Sequence, residues 1–276
     1  MNLRDNLPFI VLILSVAFSN VGCDVVGLTK DDPTGSIDHE VEFRLAEEHV
    51  VSLASEPTNV PELFFTMRTK ENLGCGTFRI LHDLERAGNE VVIRALEIEE
   101  PEFTCAGLKE PATARFRLAL NPGRYTLTLI NGKVRDRHTA TVTKQRVKLT
   151  SEEADWTEPT ATLYWRHPRN SFVHYCGTTS ETKSLCTDFA ARLQELPLTR
   201  IEVPEEGKWP YPLVDDGHYY SAPPRFYRYP NQQTWEQVKT RLRRFTRERV
   251  QDREGIGMEV WNWQSDRVLS WRINRQ

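Results

Sequence analysis

Hydrophobic residues alternate with polar ones at a period of two through most of residues 41–149. Because a β-strand points successive side chains to opposite faces, this alternation predicts half-buried strands rather than amphipathic helices. The predicted strands cover residues 41–45, 49–53, 63–69, 77–81, 90–98, 114–120 and 125–130. Short strands separated by turn signals, with no helix between them, are typical of a two-sheet β-sandwich.

A final hairpin is predicted at the end of this half. Asn131-Gly132 is a strong two-residue turn signal, because both central residues of a type I′ turn need a positive φ. Residues 133–147 can then return as one or two further strands.

One short run in this half carries a family resemblance. Residues 118–127, which read Leu-Ala-Leu-Asn-Pro-Gly-Arg-Tyr-Thr-Leu, resemble the stretch that enters the penultimate strand of immunoglobulin-like and fibronectin-type domains. In those domains a tyrosine hydroxyl bonds back to the preceding corner. The resemblance implies an Ig-like β-sandwich over residues 38–150, with Tyr125 as the corner tyrosine. The alternative for Tyr125 is an ordinary half-buried strand aromatic.

Residues 160–276 mix strands with two helices, after an acidic stretch, 151–159, that is predicted to be a linker. Ser180 is expected to cap the first helix, and Thr234 with Gln237 forms a capping-box pattern at the second. The apolar stripes of these helices are Leu185, Phe189, Leu193 and Leu196 in the first, and Trp235, Val238, Leu242 and Phe245 in the second. Strands around both helices predict an α+β two-layer sandwich, for which a ferredoxin-like topology fits.

The chain opens with Arg4 and then an apolar run, residues 7–18, which is shorter than the roughly 18 to 20 residues that span a bilayer. The following Asn20-Val21-Gly22-Cys23-Asp24 resembles the lipobox of bacterial lipoproteins, in which a small residue precedes the cysteine that becomes the lipidated N-terminus. The resemblance implies a signal peptide at 1–22, an acylated Cys23 and a polar tether at 23–37. The protein would then be anchored to a membrane of the cell envelope, periplasmic or surface-exposed.

An alternative cleavage site lies slightly earlier in the chain. Ala17 and Ser19 fit the small-x-small rule for ordinary signal peptides, and cleavage after Ser19 would secrete the protein.

The cysteines support an exported protein. The chain has 5 cysteines, and lipidation of Cys23 leaves an even set in a compartment where disulfides persist. We expect pairing within each half, Cys75 with Cys105 and Cys176 with Cys186, although pairing across the halves is the open alternative. No second Cys or His lies at zinc-ligand spacing from Cys75 or Cys105, so the sequence predicts no metal and no cofactor.

The formal net charge is only −3, with acidic and basic residues interspersed, which argues against a nucleic-acid partner. The most suggestive feature for binding is a dense group of aromatic residues after the first helix. The candidate binding residues are Trp209, Tyr211, His218, Tyr219, Tyr220 and Tyr227. Aromatic faces with a polar edge suit a protein or glycan partner. The alternative is that these rings pack around the core between the helices and the sheet.

No convincing catalytic constellation is present, so we expect a non-enzymatic binding or scaffold protein. The alternative is an exported hydrolase that uses Asp216 and His218, in the Asp215–His218 stretch of a long loop. Ser180 and Lys183 match the serine-x-x-lysine pattern of penicillin-recognising enzymes, but the two companion motifs are missing.

The second helix and the residues after it form the most basic segment of the chain. Its arginines are Arg241, Arg243, Arg244, Arg247, Arg249 and Arg253. They could meet anionic lipid headgroups or an acidic partner. The interleaved acids, among them Glu236 and Glu248, favour a solvated helix face with local ion pairs.

Overall fold

The computed structural model describes residues 35–49, 60–73, 78–101, 109–213 and 222–275. Within these ranges the chain is mostly β-sheet. The strands are β1 Val41–Glu48, β2 Glu62–Thr69, β3 Arg79–Ala87, β4 Glu90–Glu99, β5 Thr113–Arg117, β6 Gly123–Asn131, β7 Val134–Val142, β8 Arg146–Glu153, β9 Thr157–Pro159, β10 Leu163–Trp165, β11 Ser171–Thr178, β12 Thr199–Ile201, β13 Ala222–Arg228, β14 Ile256–Asn262 and β15 Arg267–Leu269. The helices are α1 Lys183–Leu193, α2 Gln232–Phe245, a π-helical segment Thr246–Val250 and a 3₁₀ helix Ser270–Arg275.

Strands β1–β10 form one curled sheet in the order β10-β8-β7-β6-β4-β3-β5-β2-β1-β9. Its ends approach each other, since β1 contacts β10 and β8 contacts β9. The hydrophobic core of this sheet includes Phe43, Phe65, Leu127 and Val147, each at most 1 % exposed. The predicted all-β character of this half is therefore confirmed for the residues described. The strand predicted at 49–53 extends beyond the described residues after His49.

Tyr125 makes the hydrogen bond that its resemblance to a corner tyrosine predicts. The side chain lies at the start of β6 and is 4 % exposed. Its hydroxyl donates to the backbone oxygen of Asn121 at 2.9 Å, which fixes the corner before the strand.

The hairpin between β6 and β7 differs from the prediction by one residue. Asn131 pairs with Val134, so Gly132 and Lys133 are the central residues of the turn, and Gly132 has the positive φ of 56°. The prediction of Asn131 as a turn residue is wrong because its amide is used in the core. The Asn131 side chain donates to the backbone oxygen of Ile37 and accepts from the Ile37 N–H, both at 2.8 Å.

The segment 151–159, predicted as a linker, carries the end of β8 and all of β9. β9 pairs in parallel with β1. The turn before β9 is organised by Asp136 on β7, whose carboxylate is 1 % exposed. It accepts hydrogen bonds from the backbone N–H groups of Asp155 at 3.0 Å, Trp156 at 2.9 Å and Thr157 at 2.5 Å, and from the Thr157 hydroxyl at 2.7 Å.

Strands β11–β15 form a second, antiparallel sheet in the order β12-β13-β11-β14-β15. Both helices pack against one face of this sheet through the predicted apolar stripes. Phe189 of α1 and Trp235, Val238 and Leu242 of α2 are fully buried there. On β11, Phe172 joins this helix-side core, and the next residue, Val173, belongs to a separate aromatic-rich cluster on the opposite face. Both faces of the second sheet are therefore covered at its centre.

The helix starts differ from the predicted caps. Ser180 does not cap α1; Thr182 is the cap residue and uses its hydroxyl to bond Gly255 O at 2.8 Å instead of the helix. Asn231, not Thr234, caps α2, and its side chain accepts from the Thr234 N–H at 2.9 Å. The observed caps differ from the predicted ones because the Thr182 hydroxyl bonds the neighbouring loop, and because α2 begins three residues before its apolar pattern.

The predicted disulfide between Cys176 and Cys186 is present and joins β11 to α1. Both cysteines are buried, at 4 % and 3 % exposed. With a sequence separation of 10 residues, the chain-entropy model gives a stabilisation of roughly 2 to 3 kcal/mol. Cys75 and Cys105, the other predicted pair, lie outside the described residues, as does Cys23.

A polar cluster joins the two sheets. The buried carboxylate of Glu47, at the end of β1, accepts from Arg166 Nε at 2.6 Å and from the His167 N–H at 2.7 Å. Burial opposes ionisation of Glu47, but the bonds to His167 and Arg166 outweigh it and lower the pKa of the carboxyl. His49 Nε2 lies 2.9 Å from the backbone oxygen of Trp263, which is a second polar contact between the parts of the chain that carry the two sheets.

Candidate anion-binding site

The aromatic residues predicted to form a binding surface are mostly inside the protein. Tyr211 is 1 % and Tyr227 is 7 % exposed, and Trp209 is partly buried. Tyr227 stacks on Phe172 in the helix-side core at a ring-centroid distance of 5.3 Å. The prediction that Tyr211 and Tyr227 offer an exposed contact surface is wrong, because both faces of the second sheet need aromatic residues to fill their cores.

The rest of that prediction lies outside the described residues. His218, Tyr219 and Tyr220 are in this group, together with Asp215 and Asp216, on which the hydrolase alternative rests. That alternative stays a hypothesis.

Tyr211 itself has a structural role. Its hydroxyl lies 2.9 Å from Ser171 Oγ in the interior, and its ring meets Phe226 at a centroid distance of 5.8 Å. Burial raises the pKa of this phenol far above its ordinary value, and its bond to Ser171 only partly offsets the effect. The ring therefore works as a neutral core residue.

A serine–histidine contact lies between β7 and β8, and no local sequence pattern predicts it. Ser151 Oγ lies 2.9 Å from His138 Nδ1, and His138 Nε2 lies 2.8 Å from Thr157 Oγ1, which in turn bonds Asp136. His138 is 0 % exposed and meets the Phe43 ring edge-on. Burial lowers the pKa of this imidazole. Because the imidazole is enclosed in the core, we assign the network to holding β9 against β7 rather than to catalysis.

The arginines around α2 fall into two groups. Those of the first group pair with carboxylates: Arg241 with Glu195 at 2.5 Å, Arg244 with Glu248 at 2.6 Å and Arg249 with Asp188 at 3.1 Å. The ion-pair interpretation of the basic segment is therefore correct for these three side chains.

The second group lines a pocket. Arg243, Arg247, Arg267 and Arg272 come from α2, the π-helical segment, β15 and the 3₁₀ helix, and they meet around a pocket of about 460 Å³. This volume lies within the range of roughly 300 to 1,000 Å³ that is typical of small-molecule sites. Arg267 stacks its guanidinium on Trp261 at 4.7 Å from the ring centroid, which fixes its direction.

The pocket has little built-in negative charge. Among the described residues, no carboxylate lies within 4.0 Å of the guanidinium groups of Arg243, Arg247 or Arg272. Glu259 approaches Arg267 at 3.7 Å. Burial raises the pKa of the Glu259 carboxyl, and the nearby Arg267 offsets this only in part.

Local helix electrostatics explain only part of this convergence. Cations in the last turn of a helix are favourable because of the helix dipole. This accounts for Arg243 at the end of α2 and for Arg247 in the π-helical segment, but not for the other two arginines. Arg243 and Arg247 are a like-charged i, i+4 pair, which costs roughly 0.2 to 0.5 kcal/mol in an isolated helix. Arg267 and Arg272 add two more cations from other elements. A bound anion would relieve the repulsion among all four.

Sequence reasoning identified Arg243 and Arg247 only as part of a basic run and missed Arg267 and Arg272. A weak signal was available, since both lie close to the C-terminus in a region poor in acids. Their meeting with α2 depends on the packing of β15 beside it, which no local pattern reveals.

The chain matches no protein-family model, no curated protein and no solved structure. None of the helices in the described ranges is long and apolar enough to cross a membrane. Among the same residues, no group of three or more His, Cys, Asp or Glu side chains is placed to hold a metal ion.

Proposed function

We propose that this protein is a non-enzymatic, lipid-anchored component of the bacterial cell envelope that binds an anionic group in the arginine pocket. The observation that carries the binding role is the convergence of four arginines, Arg243, Arg247, Arg267 and Arg272. Three of them have no carboxylate partner within the part of the chain that the structure describes. Guanidinium groups present fixed forks of N–H donors that suit phosphate and carboxylate oxygens.

The anchoring role rests on the lipobox-like residues Gly22 and Cys23 after an apolar run. Signal peptide, acylation at Cys23 and a location at the envelope membrane are parts of this proposal. The Cys176–Cys186 disulfide supports the proposed export, because such bonds persist in exported proteins. We also propose the second disulfide, Cys75–Cys105.

In this proposal the first sheet is an Ig-like spacer and the second sheet, with its helices, is the binding part. The corner hydrogen bond of Tyr125 supports an Ig-like assignment. The order β12-β13-β11-β14, with α1 after β11 and α2 after β13, supports a ferredoxin-like arrangement extended by β15.

Anion binding is tested by isothermal titration calorimetry of the full chain with inorganic pyrophosphate. We expect the double variant Arg243→Ala/Arg247→Ala to bind pyrophosphate at least about tenfold more weakly than the wild type, since each charge-assisted hydrogen bond contributes roughly 1.5 to 3 kcal/mol. Binding should also weaken as the salt concentration rises.

The matched control is Arg244→Ala/Arg249→Ala, which removes the same charge from the same helical region but from arginines that already pair with Glu248 and Asp188. Its affinity for pyrophosphate should stay within about twofold of the wild type, because salt screens the long-range effect of the two lost charges. An equal loss in both double variants, or no binding by the wild type, would contradict the proposed site.

Anchoring is tested by the intact mass of the protein purified from its own membranes without reduction. We expect a chain that begins at Cys23, heavier by acyl groups and lighter by the two hydrogens that each disulfide removes. A chain that begins at Asn20 and carries no lipid would show that the protein is secreted instead, and would leave the pocket proposal to be judged by calorimetry alone.

A further inference from the structure

The arginine pocket also has an apolar wall. Val268, Leu269 and Ile273 line it together with the four arginines. Val268 and Leu269 are 7 % and 9 % exposed, and Ile273 is partly buried. An apolar wall beside a group of cations suits a ligand that carries its charge at one end and hydrocarbon next to it.

The number of arginines bears on the type of charge. One carboxylate has two oxygens and is satisfied by a single bidentate arginine. A phosphate monoester offers three oxygens and about two negative charges near neutral pH, so it can accept bonds from several guanidinium groups at once. Four arginines match the phosphate better, since among the described residues only Arg267 has a nearby acid.

We propose that the ligand is a phosphate-bearing amphiphile, with its phosphoryl group held by Arg243, Arg247, Arg267 and Arg272 and the adjoining hydrocarbon against Val268, Leu269 and Ile273. This inference rests on the proposed function, and it adds the class of ligand. A lipid whose headgroup ends in a phosphate monoester has this chemistry, and so does a soluble alkyl phosphate.

The test compares methyl phosphate with hexyl phosphate, which share a headgroup and differ in the alkyl chain. The full chain is held in zwitterionic phosphatidylcholine nanodiscs, and heats measured with empty nanodiscs are subtracted. Each buried methylene should strengthen binding by about fourfold. We therefore expect hexyl phosphate to bind at least about tenfold more tightly than methyl phosphate, and more tightly than hexanoate.

Two variants locate the effect. Arg243→Ala/Arg247→Ala should weaken both phosphates, and Ile273→Ser should remove much of the advantage of the hexyl chain while methyl phosphate still binds. Retained binding of methyl phosphate shows that Ile273→Ser has folded.

The outcomes are distinguishable. If methyl and hexyl phosphate bind equally, or if Ile273→Ser keeps the whole alkyl advantage, the amphiphile inference fails but the anion site stands. If hexanoate binds as tightly as hexyl phosphate, the phosphate assignment fails. If no anion binds, both the inference and the proposed function fail.

Discussion

Replacing His174 by leucine is expected to raise the free energy of unfolding at neutral pH and to remove a large part of its fall in acid. His174 lies on β11 beneath α1 and is 3 % exposed. Its ring contacts Phe189 edge-on at 5.0 Å, and neither ring nitrogen has a hydrogen-bond partner in the described ranges. Burial, helped by the charge of Arg225, lowers the pKa of this imidazole from 6.5 to about 3.

The direction of the pH effect follows from that shift. The folded state holds His174 neutral, whereas the unfolded chain takes up a proton below pH 6.5. The stabilisation is therefore fully present above pH 6.5 and is lost as the pH falls towards about 3. At about 1.4 kcal/mol per pH unit, the loss from this one group reaches roughly 4 kcal/mol at the acid end.

The measurement is urea unfolding of wild type and His174→Leu between pH 7.5 and pH 4, with the disulfides intact. The stability difference in favour of leucine should widen by about 1.4 kcal/mol for each pH unit below 6.5. His174→Gln is the matched control, because glutamine keeps a polar side chain but does not titrate. It should share the flatter pH dependence without the gain at neutral pH. Parallel wild-type and leucine curves would disprove the assignment.

His174 also illustrates what local pattern can and cannot predict. The three- and four-residue spacing of apolar residues placed the buried faces of α1 and α2 correctly. Local pattern does not reveal that His174 faces Phe189 with both nitrogens unpartnered. That depends on where α1 crosses the sheet, which is a tertiary property.

The same limit explains the two corrections near the candidate site. The aromatic residues after α1 were predicted to be a contact surface because they exceed what one core needs. The second sheet, however, has a core on each face, and Tyr211 and Tyr227 belong to opposite ones. A dense group of aromatic residues beside a sheet whose two faces are both covered therefore indicates core packing rather than an exposed contact surface.

The pairing of the arginines in the basic segment also depends on tertiary packing that the sequence pattern does not reveal. Interleaved acids in the sequence favoured ion pairs, and this holds for Arg244, whose partner Glu248 lies four residues away. Arg241 and Arg249 find partners on or just after α1, far away in the sequence. Arg243 and Arg247 line the pocket instead, together with Arg267 of β15 and one arginine of the 3₁₀ helix. Which arginines stay unpaired is decided by the neighbouring elements and not by the run itself.

Replacing Asp136 by alanine is expected to destabilise the first sheet by roughly 3 to 5 kcal/mol. The change leaves three backbone N–H groups and the Thr157 hydroxyl without their acceptor. Each orphaned buried donor costs about 1 to 3 kcal/mol, and water entering the vacated space recovers part of the loss. The turn before β9, and with it the pairing of β9 to β1, should loosen first.

The contribution of Asp136 has a defined pH dependence. Burial opposes its ionisation, but the hydrogen bonds from Thr157, Asp155 and Trp156 outweigh burial and hold the pKa of the carboxyl below its usual 3.8. Its stabilisation is therefore present above pH 3.8 and is lost as the pH falls further. Most of the range in which His174 acts lies above pH 3.8, so the His174 contribution can be measured separately between pH 6.5 and pH 3.8.

Urea unfolding at pH 7 measures the effect, and amide hydrogen exchange locates it. Asp155→Ala is the matched control, because its side chain is exposed and its backbone N–H still donates to Asp136. It should stay within about 0.5 kcal/mol of the wild type. Exchange should accelerate at Val41 and Thr157 in Asp136→Ala, since the Val41 N–H donates to the Trp156 oxygen and the Thr157 N–H loses its acceptor. A small stability loss spread evenly over both sheets would mean that Asp136 does not hold β9 in place.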